Sequence, residues 1–349
     1  MKTKVVKMLE NNLNEEALEE AAEVIKKGGL VAFPTETVYG LGANALDPEA
    51  VKKIFEAKGR PQDNPLIVHI ADYDLHAYAK EVPDIVNKLT ERFWPGPLTI
   101  ILEKKSIIPD ETSAGLSSIG LRMPKNEIAL ALIKKSGLPI AAPSANLSGK
   151  PSPTEVQRCI EDLDGRVDFI IGGSESEIGV ESTVLDCTSY PPCILRPGGI
   201  TLEMLREIDE KIYIDPAIME KVTGDFKPKA PGMKYRHYAP KAPVKIIKGD
   251  FKKTIEKINE MVQNYMDRNL KVGIMATDET MDFYPNGEVI SLGSRENLSS
   301  VAHNLFEVLR ALDDKKVDII LSEAFEEEGI GIAIMNRLNK AASFDIIKI

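Results

Sequence analysis

The chain has 349 residues, of which 43% are hydrophobic and 28% charged, and a formal net charge of −10. That length exceeds what one core ordinarily serves and predicts two domains, while the composition is that of a soluble globular protein. The acidic balance argues against a strong direct nucleic-acid surface, which needs a basic face, but leaves room for a local basic pocket. Apolar runs such as residues 66–70 are strand-sized, so no membrane association is expected. The opening MKTKVVKMLENN lacks the apolar core and cleavage site of a signal peptide, so a cytoplasmic location is expected.

Along the chain, Asn14 followed by Glu15 and Glu16 predicts a helix start, with Leu18, Ala21, Ala22 and Ile25 on its inward face and Gly28-Gly29 as its stop. Residues 30–33 read as a buried strand. The loop PTETVYGLGANA (34–45) leaves its carboxyl end, the usual ligand edge of an α/β sheet. In it Thr35 and Thr37 alternate with Glu36, and Gly40 and Gly42 permit tight turns and close ligand approach. Asp47-Pro48 opens the next helix. Residues 66–70 form a strand, 82–92 a helix, and WPGP breaks the chain before the strand LTIIL. SIGLR, LPIAA, VDFII, STVLD and CILRP complete a strand-rich α/β domain to about residue 210.

Residues 215–243 differ. They combine Pro216, Pro228, Pro231, Pro240 and Pro243 with basic residues and the segment PGMKYRHYAP. A plain tether would not carry Met233, Tyr235 and Tyr238, which want a surface to lie on. Beyond it, strands VKIIKG, KVGIMAT, VISLG, VDIILSEA and DIIKI alternate with helices at 253–266, 298–312 and 333–342. That alternation predicts a small, mainly parallel Rossmann-like sheet. No GxGxxG fingerprint is present, so no dinucleotide is assigned to it. The expected division is a first domain over 1–212, a linker over 213–243 and a second domain over 244–349.

The chemistry gathers at successive strand ends. In KGRP, Gly59 and Pro61 fix the backbone around Arg60, as if to aim a guanidinium at phosphate, with Lys58 and Asn64 beside it. Arg122 ends SIGLR on the same face as Gly120, where a carboxylate ligand would fit it. PSANLSGKPS offers Ser144, Asn146, Ser148 and Ser152 to phosphate or ribose oxygens. Lys150 reads equally as a phosphate contact or a solvated side chain. Ser182 and Thr183 precede one strand, and Arg196 ends another. His69, alone on its strand, reads on these grounds as structural. Cys159, Cys187 and Cys193 have no metal-ligand spacing and read as small buried hydrophobes, with a Cys187–Cys193 disulfide across a hairpin as the alternative. No Walker loop, zinc site or Ser-His-Asp order is present, and no protein metal site is expected. The set suits charge stabilisation on phosphates without a covalent intermediate.

Taken in order, PTETVYGLG, KGRP with NPLIVHI, WPGPLT, LRMP, APSANLSGKPSPT, GVESTV and LRPG resemble the YrdC-like family. PGMKYRHYAP and GIGIAIMNRLNKAAS (329–343) match its longer, two-domain members. The resemblance implies a YrdC-like twisted mixed sheet with a ligand cleft, joined to a smaller Rossmann-like domain. It implies a nucleotidyltransferase that joins L-threonine, bicarbonate (or CO2) and ATP into L-threonylcarbamoyl-adenylate and pyrophosphate. A downstream tRNA threonylcarbamoyl transferase complex would then complete threonylcarbamoyladenosine in tRNA. Mg2+ would be held mainly by the ATP phosphates. Carried over residue by residue, the threonine pocket comprises Thr37, His69, Arg122, Ala142 and Ser182, and the ATP side comprises Arg60, Asn64, Ser118, Ser144, Ser152, Arg196 and Arg236. Local spacing adds Thr35 to the first set, and Lys58 and Asn146 to the second. Lys58, Arg60 and Arg196 are the expected charge-stabilising catalytic residues. PGMKYRHYAP is expected to close over the cleft, which has chemical value because the carbamate and the mixed anhydride both decompose in water. The competing readings are an RNA-binding assembly factor, disfavoured by the charge, and another carbamoyl-transfer enzyme, whose acylphosphatase-like and zinc-finger regions do not occur here.

Overall fold

Asn14 begins the first helix as its side chain predicts, its Oδ1 accepting from the Ala17 N–H at 3.0 Å. The computed structural model describes residues 2–219 and 238–349. These fall into two units, one holding 2–148 and 152–218, the other holding 238–349 with the short piece 149–151. The expected lid segment 228–241 lies outside the described residues except for its last four.

The first unit is built on β1 (Lys4–Lys7), β2 (Val31–Phe33), β3 (Gly40–Asn44), β4 (Ile67–His69), β5 (Leu98–Glu103), β6 (Ser118–Arg122), β7 (Ile140–Ala142), β8 (Phe169–Gly172), β9 (Thr183–Asp186), β10 (Cys193–Arg196) and β11 (Tyr213–Ile214). They form one mixed sheet in the order β1-β8-β2-β3-β7-β4-β6-β5-β9-β10-β11. Its helices are α1 (Glu15–Lys26), α2 (Pro48–Lys58), α3 (Asp84–Phe93), α4 (Asp110–Ser113), α5 (Glu127–Ser136), α6 (Val156–Leu163) and α7 (Leu202–Arg206). Helices α1 and α5 bury Leu18, Ile25, Ile128 and Leu132 against Val31, Phe33, Ile140 and Phe169. Residues of α2 and α3, among them Val51, Ile54 and Leu89, join Ala32, Leu41, Val68 and Leu121 in a second core cluster. Each fully buried Leu or Ile contributes about 1.5–3 kcal/mol of transfer free energy, which fixes the sheet between helical layers. Asp47 and Pro48 open α2 as expected, and Gly59 closes it with φ +60°.

Two expectations need correction. Gly40 and Gly42 make no turn; they lie in β3, paired antiparallel with β2. Their bareness makes room: a Cβ on Gly42 would stand 2.6 Å from Ile140 Cγ2 and 2.7 Å from Phe33 Cε1. The disulfide alternative also fails, because Cys159, Cys187 and Cys193 are all free and buried. Cys187 and Cys193 sit in different core clusters. Strand β1 and helices α5 and α6 were not anticipated.

The second unit carries β12 (Val244–Lys248), β13 (Val272–Ala276), β14 (Glu288–Ser291), β15 (Ile319–Glu323) and β16 (Ile346–Lys348), ordered β14-β13-β15-β12-β16. Every pairing is parallel, and α8 (Phe251–Met266), α9 (Leu298–Asp314) and α10 (Gly331–Ala341) complete it. This is the Rossmann-like arrangement that strand–helix alternation predicts. Tyr238 finds its surface here: it is buried and stacks on Phe306 with ring centroids 5.0 Å apart. Among the described residues no helix is long and apolar enough to cross a membrane.

Candidate active site

The floor of the site is one face of β4, β6 and β5. Parallel pairing sets Ile67 beside Gly120 and His69 beside Arg122. Ile119 and Leu121 enter the core on the opposite face, as the two-residue period requires. Gly120 keeps this floor low, since a Cβ there would meet Thr99 Cγ2 at 2.9 Å. A concavity lined by Ile67, Thr99, Ser118, Gly120 and Val184 opens on it. Ala142 ends β7 in register with Ile67, so its methyl leaves space on the same face.

Arg122 is held from two sides. Its Nη2 donates to Glu36 Oε1 at 2.7 Å and its Nε to the Gly96 carbonyl at 3.3 Å. The pair is buried, with side-chain exposures of 4% and 5%. Glu36 Oε2 is also buried and has no hydrogen-bond partner. On either side of Glu36, the Thr35 and Thr37 hydroxyls lie 2.8 Å apart, and Thr35 Oγ1 donates to the Val38 carbonyl at 2.6 Å. Both threonines are buried, so the loop is a fixed wall.

His69 is buried against Phe33, edge to face at 6.1 Å. Burial, reinforced by the positive charges of Arg122 and Arg196, lowers its pKa to about 3. The ring is therefore a neutral imidazole, and its Nδ1 has no hydrogen-bond partner. Arg196 stands at the end of β10, where its Nε donates to the Ser182 carbonyl and its Nη2 to Ser182 Oγ, each at 3.0 Å. Ser182 Oγ also lies 2.8 Å from Thr99 Oγ1. The GVEST and LRPG loops are thus tied to the β5 floor.

The residues expected on the phosphate side are placed as follows. Lys58, at the end of α2, is buried and its ammonium donates to the Ser144 and Asn146 carbonyls. Lys58 is thereby a brace for the PSAN loop, a role its spacing did not suggest. The loop is further set by Ser144 Oγ donating to Asn146 Oδ1 at 2.6 Å. Asn64 is buried after the KGRP turn with neither amide atom hydrogen-bonded. Ser152 donates to Glu181 Oε1 at 2.6 Å, and both are buried. Arg60 is half-buried at the mouth of that turn. Ser118 lies at the opposite end of β6 from Arg122, beside Glu103. Arg236 lies outside the described residues. Among the described residues there is no group of three or more His, Cys, Asp or Glu that could hold a metal ion.

Three participants had not been singled out: Glu36, Thr99 and Glu181. The acids sit in PTET and VEST, where an acid among hydroxyl residues reads as solvated. Only burial shows otherwise. Thr99, a polar residue inside the apolar run LTIIL, was the one visible signal.

A family model described as "Telomere recombination" matches residues 23–198, and one described as "Threonylcarbamoyl-AMP synthase, C-terminal domain" matches residues 200–343. The chain is 51% identical to a threonylcarbamoyl-AMP synthase of Pyrococcus abyssi, over 94% of this chain and 95% of that one. It is 48% identical to one of Bacillus subtilis, over 97% and 96%. The crystal structure of P. abyssi Sua5 complexed with L-threonine superposes with a TM-score of 0.94 at 49% identity, covering 99% of this chain and all of that one. E. coli YciO matches with a TM-score of 0.51 at 26% identity over 56% of this chain and 96% of that one. This chain is thus a two-domain member of the Sua5–YciO–YrdC family.

Proposed function

We propose that this chain is a nucleotidyltransferase that makes L-threonylcarbamoyl-adenylate and pyrophosphate from L-threonine, bicarbonate (or CO2) and ATP. In the cytoplasm its product would serve a tRNA threonylcarbamoyl transferase complex. The observation that carries the reading is the two-sided site. Arg122, Glu36 and a neutral His69 line one side, and the Lys58-braced PSAN loop stands on the other. The Ser182–Arg196 unit adds a second guanidinium, whose charge acts on His69.

The amino-acid side binds a zwitterion. Arg122 offers a fixed guanidinium for the carboxylate. His69 Nδ1, Thr35, Thr37 and Ser182 supply hydrogen-bonding groups for a hydroxyl. Burial excludes water, which protects the carbamate formed when the ammonium gives its proton to bicarbonate, releasing CO2 and water, and the neutral amine then captures that CO2 with loss of a second proton. The carbamate oxygen then attacks the α-phosphorus, and pyrophosphate leaves. Arg196 and Arg60 stabilise the charge that develops on the phosphates. Ser144, Asn146, Ser152, Ser118 and Asn64 orient the nucleotide. Mg2+ would be held mainly by the ATP phosphates and would supply Lewis-acid neutralisation of the leaving group. The hydroxyls and amides of Ser144, Asn146 and Ser152 and the cations Lys58 and Arg60 suit a phosphate chain, with the Glu181 carboxylate occupied by Ser152. The test is pyrophosphate release from ATP with threonine and bicarbonate omitted in turn. Each omission should abolish release, and release indifferent to threonine would overturn the reading.

A further inference from the structure

Glu36 is the only acidic side chain paired with Arg122 among the described residues, and that pairing uses one of its oxygens. The other, Oε2, is buried and has no hydrogen-bond partner. The residue is 6% exposed overall. Its backbone is anchored too, because the Ile178 N–H donates to the Glu36 carbonyl at 2.8 Å. A buried carboxylate oxygen without a donor costs free energy unless a ligand group satisfies it.

An α-amino acid carries a carboxylate and an ammonium on one carbon. A guanidinium with a carboxylate beside it is the complementary surface. Arg122 and Glu36 form that surface at 2.7 Å. We infer that Glu36 is the ammonium-recognising residue of the amino-acid subsite, its Oε2 accepting from the α-ammonium while Arg122 takes the α-carboxylate. This rests on the reading that the subsite binds L-threonine. Neighbouring groups favour the assignment. The cations Arg122 and Arg196 both act on His69, and Glu36 is the acid that stands against the first of them. The neutral imidazole of His69 adds no further positive charge.

The test uses the full-length enzyme, calorimetry and a deaminated probe. β-Hydroxybutyrate keeps threonine's carboxylate and hydroxyl and lacks the ammonium. The wild-type enzyme should bind L-threonine at least about tenfold more tightly than β-hydroxybutyrate, the scale of a charge-assisted contact. Glu36→Gln keeps an oxygen for Arg122 and removes the charge. It should lose about that factor for L-threonine, leave β-hydroxybutyrate affinity unchanged, and raise the threonine KM more than it lowers kcat. Equal loss for both ligands would reduce Glu36 to a structural support and overturn the inference. Equal affinity of the two ligands for the wild-type enzyme would overturn it without any variant. Wild-type enzyme that binds neither ligand would overturn the underlying threonine reading instead.

Discussion

Arg122→Met isolates the energetics of the buried pair. The substitution keeps most of the apolar stem volume and removes the guanidinium. It leaves the Glu36 carboxylate, whose side chain is 5% exposed, with no compensating charge. Removing one member of a buried pair costs about 3–5 kcal/mol, because the remaining charge stays desolvated. With a urea slope of about 2–3 kcal/mol per molar, the midpoint of the first unit should fall by about 1–2.5 M. Adding Glu36→Gln in the same chain removes the stranded charge. The remaining cost is that of an imperfectly bonded buried amide, about 1–3 kcal/mol. The double variant should therefore be more stable than Arg122→Met alone. Urea unfolding followed by circular dichroism, on wild type, both single variants and the double, closes the cycle. Strict additivity of the two single losses would show that the two groups do not depend on each other, and would refute the buried-pair account.

Other outcomes follow from the same geometry. His69 has a folded pKa of about 3, below the ordinary imidazole value of 6.5. Above pH 6.5 it is neutral in both folded and unfolded chains and contributes nothing to pH dependence. As pH falls from 6.5 toward 3 the unfolded chain gains a proton that the folded chain refuses, so stability is lost at about 1.4 kcal/mol per pH unit at most. His69→Gln should flatten that part of the urea-midpoint profile, and an unchanged acid slope would contradict it. Gly42→Ala places a Cβ 2.6 Å from Ile140 Cγ2 and should cost about 1–3 kcal/mol of stability through overpacking, read as a lower thermal midpoint. Lys58→Met removes the ammonium from the Ser144 and Asn146 carbonyls. Each charged hydrogen bond is worth about 1.5–3 kcal/mol, so the PSAN loop should loosen and the KM for ATP should rise while threonine binding changes little. Equal loss of both affinities would remove Lys58 from the phosphate side.

The sequence made the second unit easy to read because each strand and helix there has its own period and stop. Asn14, Gly28-Gly29 and Asp47-Pro48 likewise announced helix ends through local chemistry that tertiary context did not override. Strand β3 was hidden because Gly40 and Gly42, which usually mark turns, here serve close packing against Phe33 and Ile140. In the site, Arg122 was legible from alternation along β6. Its partner Glu36 lies on a distant loop, and no local pattern joins residues that only the sheet brings together. Lys58 shows a related limit. Its position at a helix end near Arg60 suggested phosphate binding, whereas its hydrogen bonds go to the neighbouring loop. His69 became legible through the family resemblance, and the depressed basicity of its ring comes from burial and two arginines that spacing does not reveal.

One site that joins an amino acid, a one-carbon unit and an adenylate should deliver all three in a single product. Incubating the full-length chain with ATP, L-threonine and isotope-labelled bicarbonate, then resolving the nucleotides by rapid chromatography and mass spectrometry, tests it most directly. A labelled adenylate whose mass equals AMP plus the threonylcarbamoyl group should form in step with pyrophosphate and be absent without L-threonine. Pyrophosphate released with unlabelled AMP as the sole nucleotide product, even at the earliest times, would contradict it.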